Sequence, residues 1–316
     1  MNADDHRWAV IFPAGDGRHP ASRDSRGRII PTQYCSSNGG DALIRGAIRR
    51  ARTVVAQERI CVVVERDHRR HWWSLGSIIP AANLLVQPHD RGTAMAILFA
   101  VLEILDRDPF AQMLFVPADH YFGNERALCI AMNRALGRIA SSGLELTLIA
   151  AQAEYPASDL AYIVPGARVQ EDMYRVREFR GNPPASLAQQ LCEHGSYWST
   201  SLFCAWGFCV LALLREYLPA IVDDMSTTLA RAADRPRRID ALAELYGRLP
   251  NVDFARTVMC KSRSMMHVVH ARNCGWTDLG TPQQVQRAVR RFKVERPTET
   301  GQLHASTGTD ASPSLT

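Results

Sequence analysis

The chain has 316 residues, 46% hydrophobic and 22% charged, with a formal net charge of +5. Those values suit one large α/β domain, or one domain with a small appendage. No apolar run approaches the ~20 residues that a bilayer span needs, and the polar start Met1-Asn2-Ala3-Asp4-Asp5-His6 lacks a signal-peptide core, so a cytoplasmic protein with no membrane partner is expected.

Basic residues are spread along the chain and mixed with acids, which argues for a solvated surface and against a nucleic-acid partner. Of the 37 basic residues only Lys261 and Lys293 are lysine. Any chemistry that needs a lysine has two candidates. The eight cysteines form no C-x-x-C pair and no zinc spacing, so reduced, buried thiols are expected.

In chain order, Trp8–Phe12 reads as a buried strand ended by Pro13-Ala14-Gly15-Asp16-Gly17. A polar loop follows to about Asn38, and Asp41 is placed to cap a helix carrying Leu43, Ile44, Ala47 and Ile48. Ile60–Val64 is a second strand, followed by a helical stretch through Trp73. Leu84–Val86, Met113–Val116 and Leu146–Ala151 are further strands. Helices over Thr93–Leu105 and from an Asn124 cap to about Ile139 separate them. This alternation predicts helices on both faces of a sheet.

The second half is less regular. Tyr162–Val164, Tyr174–Phe179, Phe203–Ala205 and Met265–His270 read as strands. Helices are expected over Ala185–Glu193, Cys209–Tyr217, Ile221–Ala233, Ile239–Leu249 and Pro282–Phe292. From Arg296 the composition is Thr, Ser, Pro and Gly, which predicts disorder. The expected organisation is a tail over 1–7, one domain over 8–294 and a disordered tail over 295–316.

Two segments carry the chemistry. Leu84-Leu85-Val86-Gln87-Pro88-His89-Asp90-Arg91-Gly92-Thr93-Ala94 is an apolar run that breaks into a polar loop and then enters a helix. Met113-Leu114-Phe115-Val116-Pro117-Ala118-Asp119-His120-Tyr121 does the same and ends on a carboxylate. Parallel sheets present ligand-binding loops at the carboxyl ends of their strands in this way. A neutral amide beside a metal-binding acid suits a nucleotide with Mg²⁺.

The motifs Gln87-Pro88-x-x-Arg91-Gly92-Thr93-Ala94, Pro117-x-Asp119-His120-Tyr121 and Gly275-Trp276-Thr277-Asp278-Leu279-Gly280 resemble the sugar-1-phosphate nucleotidyltransferases. Within them the chain is most similar to the mannose-1-phosphate guanylyltransferases, or GDP-mannose pyrophosphorylases, from about Trp8 to Phe292. The resemblance implies an α/β, three-layer, Rossmann-like (GT-A-like) fold with a mixed, mostly parallel sheet. It implies transfer of a nucleotidyl group from a nucleoside triphosphate, GTP, to a hexose 1-phosphate, mannose 1-phosphate, releasing pyrophosphate. It makes Asp119 and Asp278 the Mg²⁺ ligands and, with Arg18, the catalytic set. Ala14, Gly15, Gly17, Gln87, Arg91, Gly92 and Thr93 become nucleotide-binding, and Tyr162, Asn182 and Ser199 sugar-binding.

Several positions depart from the family pattern. The glycine loop Ala14-Gly15-Asp16-Gly17-Arg18-His19-Pro20 is about three residues shorter. A Pro-Lys becomes Pro31-Thr32, and a Glu-Lys-Pro becomes Gly181-Asn182-Pro183. Ala161 replaces a glycine, and Ser199 an asparagine. Losing a cation from a phosphate clamp costs ~3 kcal/mol or more of transition-state stabilisation. Arg18, Arg28 and Arg180 are the arginines that could substitute.

These departures keep a second reading open, a catalytically weakened relative that binds nucleotide or nucleotide-sugar as a regulator. A dinucleotide-binding oxidoreductase is a poorer fit, because Gly15-x-Gly17 has no third glycine, although Glu65 lies near the end of the second strand. His68-Arg69-Arg70-His71-Trp72-Trp73 is read as an amphipathic helix. His267 and His270 fall on opposite faces of a strand, and His120 is read as shaping its loop. Base, sugar and oligomeric state, including a homo-oligomer, stay open.

Overall fold

The computed structural model describes residues 6–13, 27–36, 41–141, 145–231 and 235–279, together with Gln284, Arg287, Ala288, Arg290, Thr298 and Glu299. Its central sheet has nine strands. The strands are β1 (Arg7–Phe12), β3 (Ile60–Glu65), β4 (Leu84–Gln87), β5 (Gln112–Pro117), β7 (Leu146–Gln152), β8 (Tyr162–Gln170), β9 (Met173–Arg180), β10 (Tyr197–Trp206) and β11 (Met266–His270), in the spatial order β4-β3-β1-β5-β10-β7-β11-β9-β8. β1, β3, β4 and β5 are mutually parallel, as are β7 and β11, whereas β9 and β10 run against their neighbours.

Two-residue periodicity divides the core. Ala9, Ile11, Val62 and Leu114 face one side of the sheet, where α1 (Leu43–Ala51), α4 (Glu125–Ser141) and α5 (Ala185–Glu193) contribute their buried residues. Trp8, Val10, Phe12, Val63 and Phe115 face the other side, against α3 (Thr93–Leu105), α6 (Gly207–Tyr217), α7 (Pro219–Arg231) and α8 (Arg235–Arg248). Strands buried on both faces must be apolar at nearly every position. α3 is apolar around most of its circumference for the same reason, being covered on most sides. The result is the expected three-layer α/β architecture with a mixed sheet.

Three elements differ from the sequence reading. The segment after β3 forms short helical turns, Arg66–His68, α2 (Arg69–Trp72) and Trp73–Ser77, in place of one helix. α1 begins from Ala42 with no side-chain cap, so Asp41 does not cap it; Asn124 does receive a hydrogen bond from the Ala127 amide at the start of α4. β10 starts at Tyr197, six residues ahead of the expected strand. Its polar stretch Ser199–Thr200–Ser201 is a bulge, with Ser201 at φ 56° and the Thr200 hydroxyl bonded to the Ile149 carbonyl at 2.6 Å.

Two small antiparallel ribbons complete the fold. β6 (His120–Phe122) pairs with β12 (Trp276–Asp278), and β2 (Cys35–Ser36) with β13 (Thr298–Glu299). Thr298 and Glu299 therefore form strand structure within the tail expected to be disordered. The rest of 295–316, residues 1–5 and the glycine loop with Ala14, Gly15, Gly17 and Arg18 lie outside the described residues. No helix among those described is long and apolar enough to cross a membrane.

Candidate active site

The parallel strands β1, β3, β4 and β5 end on one edge of the sheet, which collects Pro13, Glu65, Gln87 and Asp119. Asp119 sits in the turn after β5, anchored by the Ala118 amide donating to the Phe12 carbonyl at 2.9 Å. The β6–β12 ribbon sets Asp278 directly opposite His120. The backbone of Asp278 is thereby one residue along from that of Asp119, across a sequence gap that no local motif spans.

The ribbon is held from several sides. Trp276 Nε1 donates to His120 Nδ1 at 3.3 Å, which leaves Nε2–H on the side of Asp119, 3.9 Å from its Oδ1. Arg50, buried on α1, donates to the His120 carbonyl at 3.1 Å, lies over the Phe122 ring and reaches Glu125. Burial pushes the Arg50 guanidinium down to about 10, despite the opposing charge of Glu125. A buried cation tied to a backbone carbonyl fixes the ribbon's position.

Among the described residues no cluster of three or more His, Cys, Asp or Glu could hold a metal. Asp278, at the end of β12, and Asp119, in the turn just before β6, are carboxylates, the ligand type that Mg²⁺ takes one or two of while water and phosphate oxygens complete its shell.

The residues expected to face the sugar converge by strand pairing. Trp198 lies opposite Tyr162, and Tyr162 opposite Arg180. The Ser199 amide donates to the Ala161 carbonyl at 2.8 Å, and Asn182, exposed at φ 43°, donates to the Asp159 carbonyl. Tyr162 is fully buried and its hydroxyl accepts from the Ala157 amide at 2.8 Å, so it shapes this region from below. Contacts from Trp198 to Tyr155 and to Trp276 join it to the ribbon. Thr32 is buried in a helical turn, and Arg180 is paired with Glu178.

Around Gln87 the loop is fastened to the last turn of α8 and the segment after it. Arg91 Nε donates to the Tyr246 carbonyl at 2.7 Å, and the Val252 amide to the Arg91 carbonyl. The Thr93 hydroxyl accepts from the Phe254 amide at 2.8 Å. Gly92 has φ +83°, and a Cβ there would stand 2.4 Å from the Val252 carbonyl oxygen. Arg91, Gly92 and Thr93 thus hold the shape of the loop that follows Gln87. Gln87 is fully buried, and neither amide atom has a hydrogen-bond partner among the described residues.

Sequence reasoning passes over Glu65, Arg50 and Trp276 as site residues. Glu65 ends an apolar run and by sequence bears only on the dinucleotide alternative. Arg50 is one of three arginines on an amphipathic helix, and its inward direction depends on the ribbon.

Residues 28–293 match the model of a family described as Nucleotidyl transferase. The chain is 27% identical over 281 residues to the alginate biosynthesis protein AlgA of Pseudomonas syringae pv. tomato, covering 86% of this chain and 56% of that relative. It is 25% identical over 292 residues to mannose-1-phosphate guanylyltransferase 2 of Escherichia coli O157:H7, covering 88% and 58%. The chain therefore spans little more than half the length of these relatives. A solved structure from Thermus thermophilus, described as a mannose-1-phosphate geranyltransferase, superposes with a TM-score of 0.73 at 26% identity, over 87% of this chain and 76% of that one.

Proposed function

The chain belongs to the nucleotidyl transferase family, and on that premise we propose that it transfers a nucleotidyl group from GTP to a hexose 1-phosphate, mannose 1-phosphate, with release of pyrophosphate. The observation that carries this reading is the β6–β12 ribbon, which pairs Asp278 with His120, the residue after Asp119, at the carboxyl edge of the parallel strands. Attack of a sugar phosphate oxygen on the α-phosphorus needs positioning and charge cancellation more than covalent help from the protein. The nucleophile is already ionised, so no strong base is required.

Asp119 and Asp278 would hold Mg²⁺, which when bound neutralises phosphate charge. Gln87 would meet the base. The surface formed by Ala161, Tyr162, Asn182 and Ser199 would face the sugar. His120 Nε2 faces Asp119 at 3.9 Å, beyond hydrogen-bond reach, and takes no part in proton transfer.

One observation favours a second reading, nucleotide binding with little turnover. Thr32 and Asn182 stand where a phosphate clamp would carry cations, while Arg180 and Arg91 are engaged by Glu178 and the Tyr246 carbonyl. A pyrophosphate-release assay of each nucleoside triphosphate against a panel of sugar 1-phosphates separates the two. Release above background with GTP and mannose 1-phosphate supports transfer. Tight nucleotide binding with no release from any pair supports the second reading.

A further inference from the structure

We propose that Glu65 is the guanine-selecting residue of the nucleotide site, reading the base jointly with Gln87. The inference rests on the nucleotidyl-transfer reading and deepens it. Glu65 ends β3 and Gln87 ends β4, and the two are direct register partners in parallel strands. Side chains of register partners project to the same face of a sheet. By strand alternation both Cβ atoms point to the face that carries Val63 and Leu85, and the Glu65 carboxylate also reaches His68 at the open end of the sheet. A carboxylate and a primary amide are therefore held side by side at the edge that carries Asp119.

Neither group has its chemistry used up by the fold. The Gln87 amide is wholly buried with no partner among the described residues for its N–H₂ or its oxygen, an arrangement that costs free energy unless something arrives to satisfy it. The Glu65 side chain keeps 14% of its surface open, and its nearest cation-forming neighbour is His68 Nδ1 at 3.5 Å. The Tyr246 hydroxyl, buried from α8 on the side of Val63 and Leu85, also has no partner among the described residues. The base edge would arrive over Glu65, with Gln87 behind it.

Guanine fits this pair. Its N1–H and N2–H₂ are adjacent donors that a carboxylate accepts together, and its O6 is an acceptor for the amide N–H₂. Adenine turns a bare N1 acceptor toward the carboxylate, and uracil has no 2-amino group to reach it. Burial, with the charges of Asp90 and Asp67, holds the Glu65 carboxyl up at about 7, so two strong N–H donors at its oxygens would favour its ionised form.

The test compares GTP with inosine 5′-triphosphate, which lacks only the 2-amino group, by calorimetry on the wild-type chain and on Glu65→Gln. The wild type should prefer GTP by about tenfold or more, the scale of one good two-donor contact. Glu65→Gln should bring the two nucleotides within about twofold, and Glu65→Asp should keep part of the preference. Thermal unfolding of each variant shows that it is folded. Unchanged GTP preference in folded Glu65→Gln overturns the assignment while leaving nucleotidyl transfer intact. A wild type that prefers another triphosphate also overturns it. A wild type that binds no triphosphate removes the nucleotidyl-transfer reading itself, and this assignment with it.

Discussion

Asp278 lies directly opposite His120 in the β6–β12 ribbon, one residue from Asp119. A carboxylate from the end of the fold is thereby returned to the edge where the parallel strands stop. If both acids serve one Mg²⁺, removing either leaves a site with too few charged ligands. Asp119→Asn and Asp278→Asn should each lower turnover by about 10²-fold or more, the usual scale for losing one electrostatic contact to the reacting group. Initial rates titrated with MgCl₂ check this. Full Mg²⁺-dependent rates in both variants would dismiss the assignment.

Arg50 couples that ribbon to α1 through the His120 carbonyl. Arg50→Met keeps the aliphatic stem and removes the hydrogen bonds. It should cost about 1–3 kcal/mol of stability, the penalty of stranding a buried acceptor. It should also raise the Mg²⁺ concentration needed for half-maximal rate. A loss of stability with an unmoved Mg²⁺ requirement would reduce Arg50 to a purely structural role.

At Gly92 the backbone conformation and the Val252 carbonyl both exclude a side chain. Gly92→Ala should destabilise by roughly 1–3 kcal/mol from backbone strain alone, with more from the collision. Chemical denaturation measures it. A change below about 0.5 kcal/mol, the range of an ordinary surface substitution, would mean that the loop relaxes freely.

Glu65 gives a pH signature. Its carboxyl, ordinarily at 4.5, is pushed up to about 7 by burial and by Asp90 and Asp67. His68 and Tyr34 are the other titratable groups beside it. The folded chain therefore holds a proton that the unfolded chain releases between about 4.5 and about 7. Stability from this group is present at low pH and is lost as pH rises through that window. The difference in Tm between wild type and Glu65→Gln should move against the wild type from about pH 5 to about pH 8. Guanine nucleotide affinity should move the other way, rising with pH, because the ionised carboxylate accepts the base donors.

The missing clamp cations make an asymmetric prediction. Asn182 is exposed, so Asn182→Lys should fold normally and raise turnover of mannose 1-phosphate if charge is what the site lacks. Thr32 is buried, so Thr32→Lys should lower stability before it can help. Slower turnover in folded Asn182→Lys would show that the clamp needs no added cation.

The parallel half of the fold is legible because its strands are continuous apolar runs separated by helices of steady period. Asp119 and Gln87 are legible because each follows such a run. β10 reads short because Ser199–Thr200–Ser201 interrupts its apolar pattern, and those side chains instead satisfy the bulge. The β6–β12 ribbon is invisible in the sequence because three-residue strands carry no periodicity and their partner is distant along the chain. Asp41 looks like a helix cap by residue type alone, but the chain turns into α1 one residue later. Arg91 and Thr93 belong to a recognisable motif, yet their bonds to the Tyr246 carbonyl and the Phe254 amide depend on where α8 ends.

The most direct test of nucleotidyl transfer is phosphorus NMR of the wild-type chain with GTP, mannose 1-phosphate and MgCl₂. The account predicts loss of the GTP signals and growth of free pyrophosphate together with the paired resonances of a sugar diphosphonucleotide, all absent with Asp119→Asn. Unaltered GTP and mannose 1-phosphate under conditions where the nucleotide is bound would contradict it, as would hydrolysis to inorganic phosphate with no diphosphate product.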